Sequence, residues 1–284
     1  MKQRLPPWLK VPFPGGPNYL HVSRLLQEQG LHTVCQEAHC PNIGECFEAK
    51  TATFLILGDV CTRNCRFCAV EPGQPSPLDM AEADRVARAA ASLGLQYVVV
   101  TSVTRDDLPD GGALLFARTV SAIREVSRGT QVEVLIPDFG GSRESLATVV
   151  ASRPTVLSHN VETVPRLYPR VRPGASYQRS LELLARAAAG GMTVKSGLML
   201  GLGEESDEVM EVVADLRRQG CSILTLGQYL RPSPSHLSIE RFYTPEEFKQ
   251  LGNAASRMGF QHVESGPLVR SSYRAHRQAA YLRA

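Results

Sequence analysis

Six of the seven cysteines fall in two triplets, Cys35, Cys40 and Cys46, then Cys61, Cys65 and Cys68. Thiolates are soft ligands, suited to iron–sulfur clusters and zinc. The run Cys61-Thr-Arg-Asn-Cys-Arg-Phe-Cys68 supplies three of them from one short loop. That suits an iron–sulfur cluster and leaves one iron without a protein ligand, open to a reactant. A structural zinc site usually takes four ligands from two Cys-x2-Cys steps, which neither triplet offers. Disulfides need an oxidising compartment, and Met1-Lys-Gln-Arg-Leu-Pro-Pro-Trp8 has no apolar run behind its basic residues to act as an export signal. Cys221, alone ahead of Ile223-Leu-Thr-Leu226, reads as a core thiol.

The elements that must position these residues follow from the rest of the chain. Its 284 residues are 43% hydrophobic and 21% charged, ordinary usage for one large globular domain. A net charge of +3 is too slight for a surface that binds nucleic acid by charge, and no apolar stretch is long enough to span a membrane. Neither kind of partner is expected, and the expected location is cytoplasmic. Pro and Gly crowd residues 1–20, which read as an arm without regular helix, and a short helix is predicted over 22–29. From residue 53 apolar runs at 54–57, 97–101, 132–136, 155–157, 193–200 and 223–226 alternate with helical stretches at 80–93, 113–126, 143–151, 177–189, 206–219 and 245–258. Such alternation predicts parallel strands with right-handed crossovers. Six units are fewer than a closed barrel needs, so the expected fold is α/β, a partial (β/α)6 TIM-like barrel with an open side for a large substrate. Residues 1–52 are expected to form an N-terminal arm with the first cysteine loop, 53–260 the barrel, and 261–284 a tail.

A strand, Phe54-Leu-Ile-Leu-Gly-Asp-Val60, leading into a cysteine triplet resembles the signature of the radical S-adenosylmethionine (SAM) enzymes, in which the amino and carboxylate groups of SAM chelate the open iron. On that resemblance the strand ends supply SAM contacts. Gly197, Met199 and Gly201 lie in a glycine-rich segment that would line the adenine and methionyl parts, although such segments also serve simply as turns. Thr101 begins a loop of hydroxyls and carboxylates that either faces the SAM amino group or caps a helix. Asn160 and Glu162 either bond the ribose or carboxylate of SAM or cap the next helix. Lys195, inside a strand, needs an anionic partner, either the SAM carboxylate or a neighbouring acid.

Across nearly its whole length the chain resembles the lipoyl synthase family. Glu37-Ala-His-Cys-Pro-Asn-Ile-Gly-Glu-Cys46, the Cys61–Cys68 motif, Ser158-His-Asn-Val-Glu162, Lys195-Ser-Gly-Leu-Met-Leu-Gly-Leu-Gly-Glu204 and Ser265-Gly-Pro-Leu-Val-Arg-Ser-Ser-Tyr273 carry the likeness. The resemblance implies that Cys61, Cys65 and Cys68 hold the 4Fe-4S cluster that cleaves SAM. It implies that Cys35, Cys40 and Cys46 hold an auxiliary 4Fe-4S cluster, with Ser271 as the fourth, harder ligand. That implied ligation by Ser271 would tie the 261–284 tail across the barrel mouth and so close it. The implied reaction is radical insertion of two sulfur atoms, taken from the auxiliary cluster, at C6 and C8 of a protein-bound octanoyl-lysine. Implied partners are an octanoylated lipoyl carrier domain or glycine cleavage H protein, a ferredoxin- or flavodoxin-type electron donor, and iron–sulfur assembly proteins. Arg166, Arg170, Arg172 and Arg179 read as either a solvated loop or a patch that steers an acidic carrier. The chain departs from the family pattern at Leu115, often His, and at Ser238, commonly Pro. The alternatives are another radical SAM sulfur-inserting enzyme, biotin-synthase-like or methylthiotransferase-like, and a cluster-carrying electron-transfer protein.

Overall fold

The computed structural model describes residues 4–280. The first helix, α1 (Pro17–Glu28), starts inside the stretch read as an arm. Proline at a first helical position loses no hydrogen bond that the helix needs, and Gly16 ahead of it takes a φ of 112° that other residues avoid. Strand β1 (His32–Thr33) follows and pairs antiparallel with β2 (Thr53–Ile56). Between them α2 (Val34–Glu37) carries Cys35, and α3 (Ile43–Glu48) carries Cys46. After β2, the two-residue strands β3 (Val60–Cys61) and β4 (Glu71–Pro72) pair with each other and pinch the base of the second cysteine loop.

Then come α4 (Glu82–Ser92), β5 (Tyr97–Ser102), α5 (Ala113–Val126), β6 (Gln131–Leu135), α6 (Arg143–Ala151), β7 (Val156–Ser158), α7 (Tyr168–Val171), α8 (Tyr177–Ala189), β8 (Val194–Leu200), α9 (Ser206–Arg218), β9 (Ile223–Gln228), α10 (Pro245–Arg257), β10 (His262–Gly266) and α11 (Ala275–Ala280). The six expected strand–helix units are present. The expected helices over 113–126, 143–151 and 177–189 match α5, α6 and α8 residue for residue. Sheet order is β1-β2-β5-β6-β7-β8-β9-β10, and all neighbours after β2 are parallel. Among the described residues no bond joins the two edges of the sheet, so the barrel is partial.

The sheet has a seventh parallel strand, β10, which corrects the expectation that 261–284 is wholly tail. His262-Val-Glu-Ser-Gly266 lacks an apolar run and is only half buried, so it carries no strand pattern of its own. Its backbone pairs with β9 along all five residues. Residues 281–284 of the expected tail lie outside the described residues.

Inside the barrel, side chains of β5, β6 and β8 form a polar layer below the mouth. Lys195 Nζ donates to Glu133 Oε1 at 2.7 Å, and Tyr97 Oη donates to Glu133 Oε2 at 2.7 Å. Both members of the ion pair are at most 1% exposed. Of the two partners expected for Lys195, the neighbouring acid is the one found, and its place as a SAM contact is withdrawn. Removing one member of a buried pair strands the other charge, whereas replacing both by apolar groups of similar size is often neutral. Glu133→Ala is therefore expected to lower the unfolding free energy by about 3–5 kcal/mol, with Glu133→Leu/Lys195→Met recovering most of it in urea titrations. A loss under about 1 kcal/mol in the single variant would mean that the pair is solvated.

Candidate active site

The chain leaves β2 through a left-handed corner, Leu57 at φ 71° and Gly58 at φ 90°. Two buried side chains satisfy that corner. Glu82 accepts from Leu57 N at 2.8 Å, and Arg105 Nη1 donates to Leu57 O at 3.2 Å. Gly112 packs so close to the corner that a Cβ would lie 2.2 Å from Leu57 Cδ1. The loop that follows, residues 61–68, is held from four other strand ends. After β5, Thr104 O accepts from Thr62 N at 3.0 Å and Asp106 binds Arg63. After β6, Asp138 binds Arg63. Beyond β7, Val171 O accepts from Arg66 N at 3.0 Å. After β9, His236 Nε2 donates to Cys68 O at 2.9 Å and Leu237 N donates to Arg66 O at 3.2 Å.

A cavity of about 440 Å³ opens at this end of the barrel, and both cysteine sets line it. Cys61, Cys65 and Cys68 share its wall with Cys35, Cys40 and Ser271, and with Thr101, Asn160, Glu162, Gly197 and Met199. A smaller cavity of about 140 Å³ lies beside the first cysteine set, lined by Cys35, Cys40 and Cys46. Ser272 borders both cavities, whereas Ser271 borders only the larger, where its hydroxyl donates to Asn160 Oδ1 at 3.3 Å.

The tail is clasped onto the first cysteine loop. Asn42 Nδ2 donates to Leu268 O at 2.7 Å, and Glu45 accepts from Arg274 Nη2 at 2.8 Å and from Tyr273 Oη at 3.0 Å. Gly227 makes room for it. A Cβ there would lie 2.1 Å from Val269 O.

Several expected contacts are absent. Gly201 does not line the cavity; its φ of 106° and the approach of Gln228 Nε2 and Arg241 O, 2.2 and 2.5 Å from where a Cβ would lie, mark a tight turn closed by Glu204. Gly197 does border the cavity, but Thr225 Oγ1 would sit 2.3 Å from a Cβ there, so its small size first serves strand packing. Thr101 donates its hydroxyl to Leu135 O at 3.0 Å, and the acids of its loop are engaged by Arg63, Arg105 and helix amides. The expected basic patch is dispersed: Arg166 pairs with Glu208, Arg170 with Glu240, Arg179 with Asp138, and Arg172 turns inward to Asn160 O. Leu115 is buried in α5 and Ser238 is exposed, both away from the cavity. Cys221 is a core thiol, 0% exposed.

Arg63, Asp138, His236 and Arg270 were not singled out from the sequence as site residues, and Arg172 was read only as part of a solvated loop or carrier-steering patch. Arg63 lies within the motif, but its partners are 43 and 75 residues away, and His236 is 168 residues from Cys68, so no local spacing reveals them.

The donor set fits a cluster. All seven cysteines are free thiols, and Cys61 Sγ accepts from Thr104 N at 3.3 Å, a contact that suits a thiolate. Burial pushes Cys35 and Cys68 up to about 12 and Cys46 to about 11, and raises Cys40 and Cys65. Such thiols stay protonated at neutral pH until a metal displaces the proton. Among the described residues no three His, Cys, Asp or Glu side chains converge on a single-ion site. Ligands of a cluster go to separate irons and need no such point. Opposite charges also meet on the cavity wall. Glu162 is raised by burial against the opposing pull of Arg172, and Arg172 Nε has no hydrogen-bond partner.

A partial parallel barrel with a three-thiol loop after its first parallel strand defines the radical SAM class of enzymes. The Radical SAM superfamily model matches residues 55–216, and the model of the N-terminal domain of lipoyl synthase matches residues 1–40. A lipoyl synthase of Roseiflexus sp. is 55% identical over 277 residues, covering 97% of this chain and 92% of that protein. One of Symbiobacterium thermophilum is 56% identical over 279 residues, covering 98% and 87%. Streptococcus suis SuiB bound to precursor peptide SuiA shares the fold at a TM-score of 0.59 and 13% identity, covering 75% of this chain and 48% of that one. The chain belongs to the lipoyl synthase family of radical SAM enzymes.

One buried group beside the cavity has a pH signature. His159 Nδ1 donates to Ile136 O at 2.8 Å and Nε2 accepts from Ser180 Oγ at 3.0 Å, which fixes the neutral ring. Burial, aided by Arg172, lowers it to about 4 from an ordinary 6.5. The unfolded chain binds a proton there below about 6.5 and the folded one only below about 4, so its contribution to stability is lost as pH falls across that window. Urea unfolding from pH 7 to pH 4.5 is expected to reveal about 2.4 kcal/mol of pH dependence that His159→Gln lacks. Identical slopes in the two proteins would show that His159 titrates normally.

Proposed function

We propose that this chain inserts sulfur at C6 and C8 of an octanoyl group carried on a protein lysine, giving lipoyl-lysine. The observation that carries this reading is the single cavity lined by Cys35 and Cys40, by Cys61, Cys65 and Cys68, and by Ser271. Carbons 6 and 8 bear no acidic proton and no leaving group, so side-chain acids, bases and nucleophiles have nothing to act on there. When bound, a 4Fe-4S cluster on Cys61, Cys65 and Cys68 supplies reductive cleavage of SAM to a hydrogen-abstracting radical, and a second on Cys35, Cys40, Cys46 and Ser271 supplies sulfur.

The chain's own residues bind and orient. Leu55, Phe67, Val70, Leu135, Leu198 and Met199 give the cavity an apolar wall suited to an alkyl chain and to excluding water. Glu162 and Arg172 present an anion and a cation for the ammonium and carboxylate of SAM, and Thr101, Asn160 and Gly197 complete that wall. The partners in this reading are an octanoylated lipoyl carrier domain or glycine cleavage H protein, a ferredoxin- or flavodoxin-type donor, and iron–sulfur assembly proteins, in the reducing cytoplasm where free thiols persist. Among the described residues no helix is long and apolar enough to cross a membrane.

The direct test is mass spectrometry of an octanoyl-lysine peptide incubated anaerobically with reconstituted protein, SAM and dithionite. A gain of two sulfurs is expected, and an unmodified peptide despite SAM cleavage would overturn the reading. The reconstituted protein should carry about eight irons. Cys65→Ala is expected to abolish 5′-deoxyadenosine formation. Cys40→Ala is expected to keep it while losing thiolated product, and equal loss in both folded variants would contradict this division. Ser271→Ala should lose most sulfur insertion while keeping SAM cleavage. If Ser272→Ala does so instead, the ligand is the serine that borders both cavities.

A further inference from the structure

The 61–68 loop contains an ionic clamp that the proposed chemistry does not employ. Arg63 grips Asp106 at two points, Nε to Oδ2 at 2.7 Å and Nη2 to Oδ1 at 2.8 Å, and the same Nη2 reaches Asp138 Oδ1 at 2.7 Å. The two acids are not equivalent. The Asp106 side chain is 43% exposed, and an exposed pair contributes little. The Asp138 side chain is 1% exposed. Its carboxylate is itself fixed by Arg179 Nη1 of α8 at 3.1 Å and by Gly140 N at 3.1 Å.

A buried carboxylate with several donors is a rigid anchor, and its loss leaves the largely buried Arg63 guanidinium without its inner partner. Arg63 transmits that rigidity to the thiols. It is two residues from both Cys61 and Cys65, and its own N–H lies 3.5 Å from Cys61 Sγ. Among the described residues the Asp138 carboxylate accepts hydrogen bonds from Arg63, Arg179 and Gly140, not from a cysteine.

We propose that Asp138 is a positioning residue for the three-thiol loop, acting through Arg63 to hold Cys61, Cys65 and Cys68 in one arrangement. The proposal concerns the loop itself, and only its second readout rests on the reading given under Proposed function.

The test is a double-mutant cycle of Asp138→Asn and Arg63→Gln. The first readout is amide hydrogen exchange of residues 61–68 in the cluster-free chain. Each single variant is expected to speed exchange about tenfold, and the double variant no more than the faster single one, because both break one linkage. Independent roles would multiply to about a hundredfold. That result, or exchange that rises around residues 131–141 while 61–68 stays at the wild-type rate, would overturn the proposal. Arg63→Lys keeps the charge but loses the planar fork, and should fall between wild type and Arg63→Gln. Where Asp138→Asn does not fold, equal exchange in Arg63→Lys and wild type would overturn the proposal.

The second readout is the SAM dissociation constant of the reconstituted protein, followed by the paramagnetic spectrum of the reduced cluster. A rise in that constant at unchanged iron content is expected in Asp138→Asn. Wild-type protein that binds no SAM would sink the functional reading, while the exchange experiment still decides this one.

Discussion

The three-thiol loop has almost no internal structure, and the site depends on its being held from outside. Between the short β3 and β4 its main-chain groups are taken up by Thr104, Val171, Leu237 and His236, its Thr62 hydroxyl by Thr104 and Asp106, and its Arg63 side chain by Asp106 and Asp138. These partners belong to connections beyond the C-terminal ends of four barrel strands, β5, β6, β7 and β9. A loop that must offer three thiols to a large inorganic group cannot bury itself around an apolar core, so the barrel rim supplies the rigidity instead. The corner at Leu57 and Gly58 works in the same way, with its amide and carbonyl both satisfied by side chains from other elements.

The second constraint is the tail. It reaches the mouth only because Gly227, within β9, presents no side chain where Val269 O passes. From there Asn42 and Glu45, both in the first cysteine segment, fasten Leu268 and Arg274. Arg270 and the two serines thus line the cavity together with members of both cysteine sets, and three segments distant in sequence close over it.

Much of this was legible in the sequence where the information is local. Thiol spacing and the alternation of apolar runs with helical stretches depend on neighbours along the chain, and α5, α6 and α8 came out to the residue. What was not legible depends on tertiary proximity. Strand β10 is made a strand by pairing with β9, since its own residues are mixed. Lys195 is drawn to Glu133 across 62 residues of sequence, and the arginines of the expected basic patch each find a separate acid or carbonyl partner. Gly197 and Gly201 read as parts of a segment lining SAM, but the atoms that come closest to a Cβ at these positions belong to the protein's own Thr225, Gln228 and Arg241. The start of α1 at Pro17 shows the same limit, because proline both forbids a helix interior and suits a helix start.

In the proposed function, two cysteine sets serve one cavity because the tail lies across Gly227. This role of the tail is tested most directly by the ratio of thiolated product to 5′-deoxyadenosine in Gly227→Ala. The three atoms nearest to a methyl group there all belong to Val269 and Arg270 of the tail, so the tail is what it displaces first. 5′-Deoxyadenosine formation is expected to persist while the ratio falls by about tenfold or more, equivalent to at least about 1.4 kcal/mol of lost coupling. A wild-type ratio in the folded variant would contradict that role.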